Sequence, residues 1–169
     1  PYLFTLDMAS EDDAVDPAAL LRKPACVTVV LPDGSERLIH GRIRRFVQLG
    51  RNEALTSYQA ELVPWLWFLS LSSDCRIFQQ LSVPEIVEKV FKEHGFTDFQ
   101  LRTSGSYAKR DYCVQYRETD FNFVARLMED EGIFWYFEHD AGEHKLIVVD
   151  SASALSAAPH AESLPYYGN

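Results

Sequence analysis

Tyr112-Cys113-Val114-Gln115-Tyr116-Arg117-Glu118-Thr119-Asp120-Phe121, running on to Glu131-Gly132-Ile133, decides the fold class. Tyr112 to Tyr116 read as a short strand. Thr119 can cap a helix, because its hydroxyl can accept a first-turn N–H that has no partner inside the helix. Phe121, Val124, Ala125 and Met128 share one face at helical spacing, and Gly132 supplies the left-handed stop. Ile133 to Phe137 and Leu146 to Val149 then form a hairpin, joined by His139 to Glu143 with Gly142 in the connection.

Upstream, Ser82-Val83-Pro84-Glu85 is a capping box, in which the Glu carboxylate reaches back to the Ser N–H. Val83, Ile86, Val87, Val90 and Phe91 form an apolar stripe, and Gly95 ends the helix. The N-terminal part is strand-rich. Pro1 to Leu6 reads as a strand, Pro17 opens a short helix over Ala18 to Leu21, and Val27 to Leu31 is a strand. Pro32-Asp33-Gly34-Ser35 supplies turn chemistry, and a return strand runs from Glu36 to Leu49, bending at Gly41. After a turn at Gly50-Arg51-Asn52, Ala54 to Leu71 reads as another long strand with Tyr58, Ala60 and Leu62 on one face, interrupted at Pro64.

The expected architecture is α+β: antiparallel β-barrel-like units with two or three short helices. Strands come in runs instead of alternating with helices, which argues against a doubly wound parallel sheet. We expect a first β-rich unit over 1–76, a second α+β unit of helix, strand, helix and hairpin over 77–150, and a linker over 151–169. That last stretch is rich in Ala and Ser and leads into Tyr166-Tyr167-Gly168-Asn169. The chain begins without Met, already in a strand, and reads as part of a longer protein.

A net charge of −9 excludes nucleic-acid binding through bulk electrostatics and disfavours anionic membranes. No run of 18 apolar residues marks a spanning helix. Cys26, Cys75 and Cys113 are widely spaced with no CxxC pair, the pattern of reduced thiols and not of a zinc site.

Candidate chemistry is sparse. Arg37, Arg42, Arg44 and Arg45 read as the solvated face of a strand or a contact with a partner subunit. Ser106 lacks the second glycine of a nucleophile elbow. His139, Asp140, Glu143 and His144 have metal-binding chemistry, but the two His are five apart in a Gly-containing connection, so an exposed turn is expected. Glu118 and Asp120, with Glu129, Asp130 and Glu131, could serve a glycosidase only across a groove. Asp120 suits the first turn of a helix, whereas the last three oppose its C-terminal dipole and point to a solvated face or a basic partner. Trp65, Trp67 and Trp135 leave a carbohydrate- or surface-binding module open. The runs Trp65 to Phe68 and Phe134 to Phe137 put bulk on both faces of a strand, which calls for a two-sheet core or a second subunit. We expect no catalytic, metal or cofactor site.

Leu31-Pro32-Asp33-Gly34 with His40-Gly41, Pro64-Trp65-Leu66-Trp67, Asp74-Cys75-Arg76-Ile77-Phe78-Gln79, Ser82 to Val87 and the opening stretch resemble, in order and spacing, the VgrG proteins of the Rhs-element Vgr group. The resemblance implies the phage tail hub-like N-terminal region of a type VI secretion spike, with a family strand ahead of Pro1. It also implies a homotrimer that adapts the hexameric tail tube of Hcp rings to a membrane-puncturing needle. Baseplate components and spike-tip or effector proteins are the expected partners; nucleic acid and stable membrane insertion are not expected. Assembly in the bacterial cytoplasm followed by secretion through the type VI apparatus is implied too. The tail hub or baseplate of a contractile phage or phage-like particle is the alternative.

Overall fold

The computed structural model describes residues 1–155. Its strands are β1 (Phe4–Ser10), β2 (Pro24–Val30), β3 (Glu36–Arg51), β4 (Thr56–Val63), β5 (Ser73–Phe78), β6 (Phe99–Arg102), β7 (Cys113–Thr119), β8 (Phe134–His139) and β9 (His144–Val149). The helices are α1 (Pro17–Leu20), α2 (Val83–Glu93) and α3 (Asp120–Asp130), with 3-10 turns at Trp65–Leu71 and Ala152–Ala154. Among the described residues the strands make an antiparallel four-stranded sheet in the order β1-β4-β3-β2, curled as a half-barrel, and an antiparallel ribbon β5-β7. They also make a sheet β6-β9-β8 in which β6 runs parallel to β9.

The α+β expectation holds. Both long helices start as their sequences require. The Glu85 carboxylate accepts from the Ser82 N–H at 2.7 Å, and the Thr119 hydroxyl accepts from the Asn122 N–H at 3.1 Å. Gly95 (φ +76°) and Gly132 (φ +69°) end them in the left-handed region. All five apolar stripe residues of α2 are buried. On α3 the buried face is Phe123, Val124, Leu127 and Met128, with Asp120; Phe121 and Ala125 are only half-buried. The expected face was therefore rotated, because Phe121 turns aside to pack edge-on against Trp135.

The expected long strand over Ala54 to Leu71 is wrong beyond Val63. Pro64 breaks the ladder and Trp65–Leu71 winds as a 3-10 turn that buries Trp65, Leu66 and Leu69. These join α2, α3, Phe78, Leu146 and Val148 in the main core. A much smaller cluster, Ile43, Ala60 and Leu62, lines the half-barrel. The expected unit boundary at residue 76 falls inside β5, whose ladder partner is β7. The turn and β5 thus pack with the second half. The linker expected at 151–169 lies outside the described residues from 156 onward.

The ladder is regular at Gly41, where a bend was expected, and β3 is irregular further on. Register shifts fall between Ile43 and Arg45 and between Gln48 and Gly50. Gly41 instead allows a close approach: a Cβ there would meet Leu62 Cγ and the Val63 carbonyl oxygen, both at 2.8 Å. Because one of those atoms is backbone, Gly41→Ala should destabilise the fold by about 1–3 kcal/mol through overpacking. Urea denaturation checks this, and an unchanged midpoint would contradict the packing described.

Candidate functional site

The polar groups singled out by sequence are mostly spent inside the chain. The register shift after Ile43 lets neighbouring Arg44 and Arg45 both reach Glu61, at 2.6 and 3.1 Å. Arg44 also lies 4.8 Å over the Trp67 ring. Glu118 is gripped by Arg126 Nε and Nη2. Arg110 answers two of the three carboxylates at the end of α3, with contacts to Asp130 at 3.4 Å and Glu131 at 2.9 Å. The expectation there was a solvated face or an outside basic partner; Glu129 and Asp130 are exposed, and the basic group that meets Asp130 and Glu131 comes from within the chain. Ser106 sits on an exposed loop, where Asp150 accepts from the Ser104 and Gly105 N–H groups and the Tyr107 hydroxyl. Among the described residues no base contacts Ser106. Trp65 is wholly buried, and Trp67 and Trp135 are half-buried, so they form no open stacking platform.

Two polar clusters went unread in the sequence. The first centres on Asp120, which is 3% exposed. Its carboxylate receives Arg76 Nη2 at 2.6 Å, Gln115 Nε2 at 2.7 Å, Ser72 Oγ at 2.8 Å and His94 Nε2 at 2.6 Å. Burial alone would raise this carboxyl, but the bonds from Gln115, Ser72 and His94 and the Arg76 charge hold it below the usual carboxylate range. Ser, His and Asp meet here, yet not as a catalytic relay. His94 Nε2–H points at Asp120, so that nitrogen cannot take the Ser72 proton, and Ser72 itself donates to Asp120. The cluster ties β5, β7, α2 and α3 together through one buried charge.

The second cluster overturns the exposed-turn expectation for His139 and His144. The loop Asp140–Glu143 is a tight turn in which the Asp140 carboxylate accepts from the Gly142 and Glu143 N–H groups. His144, however, is 2% exposed and meets His40 of β3. The Trp65 N–H donates to His144 Nε2 at 2.8 Å, so the His144 proton is on Nδ1. That proton faces His40 Nδ1 at 2.8 Å, which must accept it. The His40 N–H donates to His139 Nδ1 at 3.2 Å, and the Tyr2 hydroxyl donates to the His40 carbonyl at 2.5 Å. The network thus assigns three neutral imidazoles, each with a defined tautomer. Burial first, then the repulsion that a proton on His40 or His139 would exert, and the Arg42 charge, push His144 down to about 3. Burial also lowers His40 and His139. Among the described residues no group of three or more His, Cys, Asp or Glu is placed to hold a metal ion.

The sequence profile of the phage tail baseplate hub (GPD) family matches residues 1–169. The chain belongs to that family. It is 45% identical, over 99% of its length, to the type VI secretion system spike protein VgrG1b of Pseudomonas aeruginosa, of which it spans 22%. Among solved structures it resembles the E. coli c3393 protein, described as a type VI secretion component similar to the T4 bacteriophage tail proteins gp27 and gp5. The TM-score is 0.83 with 29% identity, covering 91% of this chain and 43% of that one. The 43 kDa tail protein of prophage MuSo2 from Shewanella oneidensis, 16% identical with TM-score 0.57 over 86% of this chain and 43% of that one, shares the fold.

The three histidines have folded pKa values below the ordinary 6.5, so between pH 6.5 and about 3 the unfolded chain binds more protons. The stability they contribute is present above pH 6.5 and is lost as pH falls. Chemical denaturation should show a steady loss from about pH 7 to 5.5, above the carboxylate range, and His144→Gln should flatten it; an equal slope in the variant would contradict the neutral junction. Asp120→Ala removes the buried acceptor shared by Arg76, Gln115, Ser72 and His94, leaving Arg76 only its contacts with Glu93 and Asp74, and should cost about 3 kcal/mol by the same assay.

Proposed function

We propose that the hub chain is the tube-facing base of a type VI secretion spike, and that it works as an assembly part and not as an enzyme. The observation that carries this is the 45% identity to a spike protein across 99% of the chain. The internal pairing supports it: Glu118 and Asp120, the carboxylates a hydrolase would need free, are held by Arg126 and Arg76.

On this reading three copies assemble and adapt a hexameric tail tube of Hcp rings to a needle supplied by the rest of the protein. Baseplate components and spike-tip or effector proteins are its partners. The protein assembles in the cytoplasm and leaves through the type VI apparatus, without nucleic acid and without stable membrane insertion. No helix among the described residues is long and apolar enough to cross a membrane. The outer face of the β5-β7 ribbon offers area for a neighbouring copy: Ile77 is 58% exposed and Tyr116 64%, with Val114 paired opposite Ile77. An exposed apolar surface of this kind is what a subunit contact covers.

The fold shared with the prophage tail protein favours a second reading, the hub of a contractile phage-like particle. Two measurements on the full-length protein separate the outcomes. Light scattering should report a trimer, and Ile77→Glu with Tyr116→Glu should weaken it. Release into the culture medium should require the type VI sheath. A monomer at high concentration would overturn the hub assembly, and sheath-independent release would favour the phage-like particle.

A further inference from the structure

Arg22 and Arg42 face a cleft of about 360 Å³ between the half-barrel and the helical half, walled by Phe68 and Phe96, with Ser72 and His94 at its edge. Among the described residues no carboxylate lines it. This is unusual for a chain of net charge −9. Arg44, Arg45, Arg51, Arg76, Arg102, Arg110 and Arg126 all have carboxylate partners within the chain. Asp120, which bonds Ser72 and His94, is already satisfied by Arg76 and its other donors.

Among the described residues Arg37 and Arg117 also lack a carboxylate partner, but neither lines the cleft; two further observations concern Arg42 and Arg22. Arg42 Nε is buried and has no hydrogen-bond partner among the described residues, while its Nη1 donates only to the Arg22 carbonyl at 3.2 Å. A buried charged donor left without an acceptor is costly, and proteins rarely tolerate one without a reason. Arg22 is held at φ +65°, a left-handed conformation that disfavours a residue with a Cβ. Its N–H donates to the Ile43 carbonyl at 2.7 Å, and the Ile43 N–H donates to the Lys23 carbonyl at 3.1 Å, which fixes the bend. That bend places the Arg22 guanidinium carbon 6.0 Å from the Phe68 ring centroid, on the cleft wall. Strained backbone that delivers a charge to a cleft is a common mark of a binding site.

We propose that this cleft binds a carboxylate side chain, Glu or Asp, presented by a protein partner. Guanidinium groups match the planar carboxylate through paired N–H donors. Inorganic phosphate would satisfy the charge equally well, but the Phe68 and Phe96 walls suit the apolar stem and flanks of a side chain, which phosphate lacks. The anion site stands on the cleft alone. Its assignment to a protein partner rests on the assembly reading above.

The test is an NMR titration of the chain with the capped dipeptide acetyl-Glu-Leu-amide, its acetyl-Gln-Leu-amide counterpart and inorganic phosphate. The Glu peptide should bind most tightly, shifting the Arg42 Nε–H and Ser72 resonances, and should weaken as salt rises. Arg42→Met and Arg22→Gly should each weaken it about tenfold, the loss expected for one charge-assisted hydrogen bond. Arg22→Gly removes the charge and relieves the backbone, so misfolding cannot mimic the effect. Arg37→Ala, on the same strand as Arg42, should change nothing. Equal binding of the Glu and Gln peptides, binding of phosphate as tight as the Glu peptide, or full affinity in Arg42→Met would each overturn the proposal. None of these results bears on whether the full-length protein forms a trimer, so failure here and failure of the hub reading are distinguishable.

Discussion

The rest of the structure depends on a single imidazole, that of His144, held between the Trp65 N–H and His40. Where β4 ends, Pro64 stops the ladder and the chain must turn into the core. The first N–H groups of any helical turn have no partner within it, and a buried one must find an acceptor elsewhere. His144 Nε2 is that acceptor, and its other nitrogen reaches β3. One neutral ring therefore joins the half-barrel, the 3-10 turn and the β8–β9 hairpin. Tyr2 closes the junction from the other side, packing on Phe137 and donating to the His40 carbonyl. The half-barrel has only a small apolar cluster of its own, so this polar seam and the buried Trp65 are what anchor it to the larger core.

The same economy governs the charges. Asp120 neutralises Arg76 at the meeting point of β5, β7, α2 and α3, and Glu61 gathers Arg44 and Arg45 on the half-barrel. Groups that look chemically available in the sequence are committed to holding elements in register. That commitment suits the adaptor role proposed above, in which side chains hold elements in place. Arg22 and Arg42 stand outside this pattern, as does the apolar face of Ile77 and Tyr116. Both features fit a part whose remaining interactions are made with other proteins.

The parts of the fold that were legible in the sequence are those set by contacts within a few residues. The α2 stripe, both helix caps, the glycine stops and the β8–β9 hairpin rest on local periodicity and turn chemistry. The Trp65–Leu71 segment reads as a strand because Trp and Phe favour strands, whereas the choice of a 3-10 turn depends on burial against α3. The α3 face is offset by about one residue because Phe121 and its edge-on partner Trp135 pack at the margin of the core while Phe123 and Leu127 fill its centre. Strand β6 was missed, since only its parallel pairing with β9 defines it. Neither polar cluster could be seen. His40 and His144 are 104 residues apart and Arg76 and Asp120 are 44, and no local pattern links such pairs. The family resemblance was legible because it lies in ordered motifs along the whole chain.

Nitrogen-15 chemical shifts of the His144 ring test the central claim most directly. The account predicts a neutral ring protonated at Nδ1 that persists down to pH 5, with the Trp65 amide protected from exchange. A His144 that titrates near its ordinary value of about 6.5, or that carries its proton on Nε2, would contradict it.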